Sequence, residues 1–400
     1  MTLGDEEALV VGVLLPLTGK ASSIGSGMQN AMFMALEDMP SDKLILKFYD
    51  TESSAEGASI AMSDALSEGA ELILGPLMGE EVEQIANKAL SADVPVVSYT
   101  TSPQVLQKGI YSIGLLNGEQ IDKAISYALS KNRTKLALLV PDNNSGLNIL
   151  KSALMSAVSH DVSLVKVGFY NPNTVDFTSI VNEMVNPAPV DFDAVLIADS
   201  GNRLKSMASM FAYNDVLYPD VLFLGTSAWD STNLTKETML YKGVYPMISK
   251  SYDVYSPQEK QGVVQGSPVV SKSYSSYFIE KYQNTFGEYP KSIYSFAYDS
   301  VLLAIALSSK SQDNIEASIT SSGGFIGVNG RFKILPTGPS IHNLDVLEVT
   351  ENGPKVVEKA NKQLIDYTKN EVDVRYIPYE SLPKIYGKSS TEVLGWLYNN

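Results

Sequence analysis

Short apolar runs alternate with amphipathic stretches along most of this chain of 400 residues. A short, continuous apolar run is typical of a strand buried on both faces, and apolar residues spaced by three and four are typical of a helix. Strands are predicted at 9–17, 44–50, 70–76 and 94–100, and helices at 26–39, 55–69 and 80–90. Strands and helices that alternate in this way form a parallel, doubly wound sheet.

A second series of the same kind follows after residue 116. Helices are predicted at 119–130, 147–159, 176–185 and 202–213, and strands at 135–142, 163–170, 193–199 and 221–226. We therefore predict an α/β protein with two Rossmann-like lobes, each with a parallel sheet, joined by a hinge. A cleft between the lobes would lie at the carboxyl ends of the strands.

The last third of the chain has a different pattern. The polar stretch 248–273 is typical of an irregular insertion, and helices are predicted at 274–286 and 295–309. Two hairpins are predicted, one at 324–338 around the turn Val328-Asn329-Gly330 and one around "ENG" at 351–353. The predicted lobe 1 is 8–116 with about 247–328, lobe 2 is 117–246 with about 329–358, and 359–400 is an appended C-terminal segment.

The composition argues against several kinds of chemistry. The chain has no Cys and only two His, His160 and His342, which excludes thiol catalysis and Cys-based metal sites and argues against a His-dependent triad. We predict no catalytic residues, no metal and no cofactor. The net charge of −15 argues against a nucleic-acid partner. No apolar run approaches the length of a membrane span.

The stretch "GVLLPLTGKASSIGSG" (12–27) is superficially similar to a phosphate-binding loop. That motif needs a Gly five residues before Gly19 and a hydroxyl after Lys20, but Leu14 and Ala21 stand there. The stretch is therefore interpreted as a first strand that turns into a Ser- and Gly-rich loop. Ser22 is a candidate either for capping the following helix or for contacting a ligand.

Polar residues cluster in the loops that follow predicted strands, and these are the candidate ligand-binding positions. The candidates are Ser22, Gly79, Thr100, Thr101, Ser102, Asp199, Ser200, Ser227 and Trp229. Each has a simpler alternative: a loop hydroxyl is usually only part of a loop, and Trp229 can stack on a ligand or belong to the core. Glu80 and Glu81 in the first turn after Gly79 already complement the helix dipole, which disfavours an anion there.

Several stretches resemble the type I periplasmic binding proteins, the leucine-binding-protein superfamily, over about residues 8–358. "VGVLLPLTGKASSIGSGMQNAMFMALED", "LILGPLMGEEV", "VPVVSYTTSP" and "YSIGL" resemble the first lobe of these proteins. Four later stretches resemble the penicillin-binding-protein activators of alphaproteobacteria within that superfamily. They are "ISYALSKNRTKLALLVPDNNSG", "FLGTSAWDSTNLTKETMLYKGVYP", "FIEKYQNTFGEYPKSIYSFAYDSVLLAIAL" and "GFIGVNGRFKILPTGPSIHNLDVLEV".

The resemblance implies roles for individual residues. Amino-acid-binding members hold the ligand's carboxylate with hydroxyls and amides of the first lobe, and Thr100 and Ser102 match that loop. Gly79 stands where a Ser hydroxyl is expected, and Ser227 stands where the ammonium-binding Glu is expected. The second-lobe aromatic is replaced around Ser200 and Gly201. Much of the amino-acid clamp is therefore missing, and Asp199 or Asp230 would have to compensate, because an unpaired ammonium in a closed cleft is costly.

Two hypotheses for the function follow from the resemblance. The first is a noncatalytic regulator of peptidoglycan synthesis, with a peptidoglycan synthase as partner. The second is a solute-binding protein of an ABC transporter that takes up amino acids or another small polar ligand, with an ABC permease as partner. Either role implies a periplasmic location, with a lipid anchor on the full-length precursor as one alternative. Few residues precede the first strand, so we expect that an export segment has been removed.

Overall fold

A computed structural model of the chain describes residues 8–249, 274–308, 315–361 and 364. The chain divides into two compact units, and it passes from one to the other after Leu116, Ile248 and Asn343. Unit 1 holds the described residues up to 116 and those from 249 to 343, and unit 2 holds the rest. Residues 250–273 of the insertion predicted at 248–273, and nearly all of the predicted C-terminal segment, lie outside the described residues.

The first part of unit 1 alternates strands with helices. In chain order the elements are β1 (Leu9–Leu15), α1 (Ser22–Asp38), β2 (Leu44–Asp50), α2 (Ala55–Ser67), β3 (Leu72–Leu74), α3 (Gly79–Ser91), β4 (Val96–Ser98) and β5 (Ile110–Ser112). The five strands form one parallel sheet in the order β2-β1-β3-β4-β5, with Leu9 opposite Leu44 at its start. The predicted parallel, doubly wound arrangement is therefore confirmed for this unit.

Helix α1 begins earlier than the sequence predicts. We expected the helix to begin at residue 26, after Gly25, but it begins at Ser22 and contains both Gly25 and Gly27. A Cβ on Gly25 would lie 2.1 Å from the Pro16 carbonyl oxygen, and one on Gly27 would lie 2.2 Å from the ring of Tyr294. These glycines serve close packing of the helix and not a flexible loop.

Unit 2 begins with a second series of the same kind. Its elements are α4 (Asn117–Ser130), β6 (Lys135–Pro141), α5 (Asn144–Ser159), β7 (Ser163–Tyr170), α6 (Thr178–Val185), β8 (Ala194–Ile197), α7 (Gly201–Tyr213), β9 (Leu222–Leu224) and β10 (Val244–Ile248). Strand β10 was not predicted, because Pro246 interrupts its apolar run. It pairs parallel to β9, and a short 3₁₀ helix at Ser227–Ser231 lies between the two strands in sequence.

The chain then returns to unit 1. It forms α8 (Tyr274–Phe286), α9 (Ser292–Ser308), α10 (Ile315–Ile319), β11 (Phe325–Gly327), β12 (Gly330–Ile334) and β13 (Ser340–His342). The predicted first hairpin is confirmed: β11 and β12 pair with Gly327 opposite Gly330, whose φ is 77°. The last two strands, β14 (Leu344–Glu348) and β15 (Lys355–Glu358), form the second predicted hairpin in unit 2.

The structure corrects the expected domain assignment of residues 329–343. They were expected in lobe 2 but belong to unit 1. Strand β12 pairs with β11 and β13, and the buried Asp299 carboxylate of α9 accepts hydrogen bonds from the Val328 and Asn329 amides at 2.6 and 3.1 Å. The Ser340 hydroxyl also donates to the Gly114 carbonyl. These contacts hold the hairpin on unit 1.

The sheet of unit 2 combines both strand directions. Its order is β15-β14-β10-β9-β8-β6-β7, in which β6 to β10 are parallel, β14 is antiparallel to β10, and β15 is antiparallel to β14. Apolar side chains cover both faces of this sheet in two buried clusters. Within each unit, the carboxyl ends of the parallel strands lie along one edge of that unit's own sheet. The loops that carry most of the candidate residues begin at this edge.

Candidate functional site

Three of the candidate residues in unit 1 lie together at the carboxyl end of its sheet. Gly79 begins α3, and Thr100 and Ser102 follow β4. A Cβ on Gly79 would lie 2.6 Å from Ser102 Oγ and 3.4 Å from Thr100 Oγ1. The Ser102 amide donates a hydrogen bond to Thr100 Oγ1 at 3.1 Å. The hydroxyl of Ser102 thus fills the space that a side chain at position 79 would need.

The three polar residues of this loop, at 100–102, differ in their exposure. Thr100 is buried, and its carbonyl accepts a hydrogen bond from the Ser112 hydroxyl at 2.7 Å. Ser102 is half-buried, and Thr101 is exposed. Thr100 therefore has a structural part in holding the loop, while Thr101 and Ser102 present hydroxyls that a polar ligand could reach.

The amino end of α3 already has its own carboxylate. Glu81 is fully buried and accepts hydrogen bonds from the Met78 amide at 3.0 Å and the Thr51 hydroxyl at 2.8 Å. Burial raises the pKa of Glu81, and the hydrogen bonds from Met78 and Thr51 oppose that rise in part. A carboxylate at this helix end disfavours an anionic ligand, in line with what the sequence suggested.

The loop between β1 and α1 is fixed by Asp50, the last residue of β2, and by Ser53, which follows that strand. Asp50 accepts hydrogen bonds from the Leu17 amide at 2.9 Å, the Thr18 amide at 3.1 Å and the Thr18 hydroxyl at 2.7 Å. Ser53 Oγ accepts from the Ala21 amide and donates to the Thr18 carbonyl. Burial alone would raise the pKa of Asp50, but the hydrogen bonds outweigh it and hold that pKa below its usual value. Neither Asp50 nor Ser53 is among the candidates predicted from the sequence.

Ser22 and Lys20 do not have the positions of the hydroxyl and the lysine of a phosphate-binding loop. Ser22 is the first residue of α1 and is half-buried, and its amide donates to the Gly19 carbonyl at 3.2 Å. The side chain of Lys20 is 72% exposed and lies 4.0 Å from Glu80. Lys20 is thus a solvated surface residue beside an acidic one.

The carboxyl edge of unit 2 holds an ion pair built on Asp199, which follows β8. Its Oδ2 accepts from the Tyr170 hydroxyl at 2.5 Å and lies 3.0 Å from Arg203 Nε. Its Oδ1 accepts from the Ser200 amide at 2.7 Å and from Arg203 Nη2 at 3.1 Å. Burial raises the pKa of Tyr170, so its hydroxyl stays a donor. Asp199 is therefore not the unpaired acid that an ammonium group would need, which corrects our expectation for this residue.

Trp229 belongs to the core, which corrects its place among the candidate ligand-binding residues. It is 0% exposed, and its indole N–H donates to the Ile197 carbonyl at 3.0 Å. A Cβ on Gly225 would lie 2.2 Å from the indole ring, so the backbone packs directly against it. The ring has no free face on which a ligand could stack.

Ser200 and Ser227 both begin helical segments of unit 2. Ser200 is half-buried, precedes α7 and makes no side-chain capping hydrogen bond. The Ser227 amide donates to Oε1 of the buried Gln120 at 2.7 Å. Asp230, three residues later, accepts from the Tyr245 hydroxyl at 2.9 Å. Gln120 and Arg203 were not predicted from the sequence, since each lies on a helix and not in a loop after a strand.

A Ser, a His and an Asp also meet in unit 2, on α4 and at the end of α5. Oδ1 of Asp122 accepts from the Ser156 hydroxyl and lies 2.9 Å from His160 Nε2. The hydroxyl and the imidazole thus contact the same carboxylate oxygen and not each other, so the imidazole does not serve as a base for Ser156. The hydrogen bond to Asp122 raises the pKa of His160 and outweighs the effect of burial.

The described parts of the chain hold neither a metal-binding cluster nor a membrane-spanning helix. Over 8–249, 274–308, 315–361 and 364, no group of three or more His, Asp or Glu side chains is placed to hold a metal ion. Within the same ranges, no helix combines the length and the apolar character needed to cross a membrane.

Comparison with known proteins gives the family. Residues 8–354 match the family model described as periplasmic binding protein. The Leu/Ile/Val-binding protein BraC3 of Rhizobium johnstonii is 20% identical over 222 residues, which are 53% of this chain and 55% of that protein. The chain spans about half the length of the curated relatives it matches.

Solved structures agree with this match at the level of the fold. An ABC transporter substrate-binding protein from Sphaerobacter thermophilus has a TM-score of 0.69 at 15% identity, covering 88% of this chain and 98% of its own. The branched-chain amino acid transporter substrate-binding protein LivJ from Streptococcus pneumoniae, in complex with isoleucine, has a TM-score of 0.64 at 16% identity, with coverages of 88% and 99%. This chain belongs to the periplasmic binding protein family and has the α/β fold of its leucine-binding-protein-like, type I members.

Proposed function

We propose that this chain is a noncatalytic, extracytoplasmic solute-binding protein that delivers a small polar molecule to an ABC permease. The observation that carries the proposal is the convergence of Gly79, Thr100 and Ser102 at the carboxyl end of the unit 1 sheet. This is the edge at which parallel α/β sheets bind ligands. The family match over residues 8–354 supports the same role.

The polar groups at this edge suit a ligand with hydrogen-bond acceptors. Thr101 and Ser102 offer hydroxyls, which can donate to a ligand oxygen and also accept from it. The loop that carries them is held firmly by the Thr100 contacts to Ser102 and Ser112. A site held in place before the ligand arrives loses less entropy on binding.

The relatives suggest which solutes to test first. BraC3 is named a Leu/Ile/Val-binding protein, and LivJ was solved with isoleucine. A panel of branched-chain amino acids, other amino acids and small organic acids should therefore be screened by thermal shift and isothermal titration calorimetry. A solute present at about 100 times its Kd would stabilise the folded chain by about 2.7 kcal/mol. No shift with any solute in the panel would contradict the proposal.

A pair of variants tests whether the unit 1 loop takes part in binding. Ser102→Ala removes the half-buried hydroxyl beside Gly79 and should weaken binding of the identified solute by about tenfold. Ser67→Ala is the matched control, because its exposed hydroxyl only donates to the Asp64 carbonyl at the end of α2. Equal affinity of the two variants would place the solute elsewhere.

A second candidate is a regulator of peptidoglycan synthesis, as the resemblance to penicillin-binding-protein activators suggests. The ion pair of Asp199 with Arg203 favours this role, because an Asp that is already paired is not free to bind an ammonium group, as expected in a protein that no longer transports amino acids. In that case an immobilised peptidoglycan synthase should retain the purified chain while the solute panel gives no thermal shift. Retention equal to that of an unrelated periplasmic protein would count against this role.

A further inference from the structure

Arg203 is the outermost charged group of the ion pair at the carboxyl edge of unit 2. The side chain of Asp199 is 4% exposed, whereas that of Arg203 is 42% exposed. The carboxylate is therefore covered by the guanidinium and by the Tyr170 hydroxyl. A solute that approaches this end of β8 meets a positive group first.

The guanidinium of Arg203 is held in one orientation. Nε and Nη2 contact the two oxygens of Asp199 at 3.0 and 3.1 Å, and Nη1 donates to the Pro172 carbonyl at 2.8 Å. An Arg side chain carries five N–H donors in a planar fork. Among the residues that the structure describes, these three contacts use three of the donors and leave two N–H groups, one on each Nη. Paired guanidinium donors match the two oxygens of a carboxylate.

The same geometry works against an ammonium group. An ammonium could reach Asp199 only by displacing Arg203 or Tyr170, and it would lie next to a like charge, which is unfavourable. Asp142 and Asp230, which follow β6 and β9, are exposed, so water screens their charges. Tyr245 also donates to Asp230.

We infer that Arg203 is a carboxylate-binding residue and that the solute is a small organic acid without an ammonium group. The inference rests on the proposed function, since it assumes that the chain binds a solute. It assigns the specificity to a residue on α7 that is positioned by Asp199 and Pro172.

The inference is tested with probes that differ in their charged groups. Leucine, 4-methylpentanoate and isopentylamine share a branched hydrocarbon chain. Leucine carries both an ammonium and a carboxylate, 4-methylpentanoate carries only the carboxylate, and isopentylamine carries only the ammonium. Succinate and benzoate add a dicarboxylic and an aromatic acid. Calorimetry on the full chain should show at least one of the three acids binding more tightly than leucine and isopentylamine. If leucine or isopentylamine binds most tightly, the inference is overturned and the proposed function stands. If no probe binds, both fail.

Variants then test Arg203 with the acid that binds best. Arg203→Gln should weaken the binding of that acid by at least about tenfold. Arg203→Lys keeps the charge but loses the planar fork of donors, so its affinity should lie between those of the parent chain and Arg203→Gln. The double variant Asp199→Asn with Arg203→Gln avoids a stranded buried carboxylate and should show the same loss even if the single variant folds poorly. Arg133→Gln is the control, because Arg133 precedes β6 at the opposite end of the sheet and bonds the Pro219 and Asp220 carbonyls. Unchanged affinity in the double variant overturns the inference.

Discussion

Gly79 and Ser102 are packed so closely that position 79 has no room for a side chain. A Cβ there would lie 2.6 Å from Ser102 Oγ and 2.8 Å from Ser102 Cβ. The resemblance to amino-acid-binding proteins implies a Ser hydroxyl at position 79. In this chain the Ser102 hydroxyl of the neighbouring loop occupies that space instead. Position 79 therefore lacks a side chain because Ser102 packs against it.

The contact predicts the effect of Gly79→Ala. The added methyl group should destabilise the chain by about 1–3 kcal/mol, because Ser102 must move from its packed position. Chemical denaturation measures the change in the free energy of unfolding. Gly323→Ala is the matched control, since a Cβ at Gly323 would meet nothing within 4 Å. Combining Gly79→Ala with Ser102→Gly should recover most of the lost stability. If the effects of the two substitutions on the free energy of unfolding are simply additive, the contact does not cause the destabilisation.

Asp50 should stabilise the loop that precedes α1. Asp50→Ala removes the acceptor of the Leu17 and Thr18 amides, with an expected cost of about 1–2 kcal/mol in the free energy of unfolding. Amide hydrogen exchange should become faster at residues 17 and 18. Asp42→Ala, which removes an exposed carboxyl of the same unit, should leave both quantities unchanged. Unaltered exchange at 17 and 18 in Asp50→Ala would rule out this role.

The contact between His160 and Asp122 predicts a pH dependence of unit 2. Since Asp122 raises the folded-state pKa of His160, protonated His160 stabilises the folded chain below its unfolded pKa of about 6.5. That contribution, about 1 kcal/mol or less for a partly exposed pair, should disappear as pH rises through the folded pKa. Urea denaturation between about pH 5 and 9 should therefore show that the free energy of unfolding of the parent chain declines as the pH rises, and that His160→Gln lacks this decline. Identical pH profiles would refute the assignment.

The burial of Trp229 can be tested by fluorescence. The chain has two Trp, and Trp396→Phe leaves Trp229 as the single emitter. Its emission should be blue-shifted and resist quenching by acrylamide, because the ring is 0% exposed. Trp229→Phe should cost about 1–3 kcal/mol, since it leaves the buried Ile197 carbonyl without its donor. Strong quenching, relieved by a bound solute, would instead indicate a ligand-stacking ring.

The fold follows from the sequence to a large extent. Strands such as β2 and β7 and the hairpin at Gly327 and Gly330 lie where the apolar runs and turn residues predict them. These features depend on neighbouring residues, so a local pattern is enough to find them. The predicted start of α1 was wrong because Gly25 looks like a loop residue until Pro16 is known to pack against it.

The candidate site depends on contacts between distant residues. The sequence placed Thr100, Ser102 and Asp199 at the ends of strands, since the chain order of strands and helices determines which loops share an edge of a parallel sheet. Only the tertiary structure pairs Asp199 with Tyr170 and Arg203 and buries Trp229 under Gly225. A side chain's charge and exposure depend on residues brought together by folding. The sequence by itself therefore determined the fold class, and the tertiary structure decided which polar groups stay accessible and unpaired at the ends of the described strands.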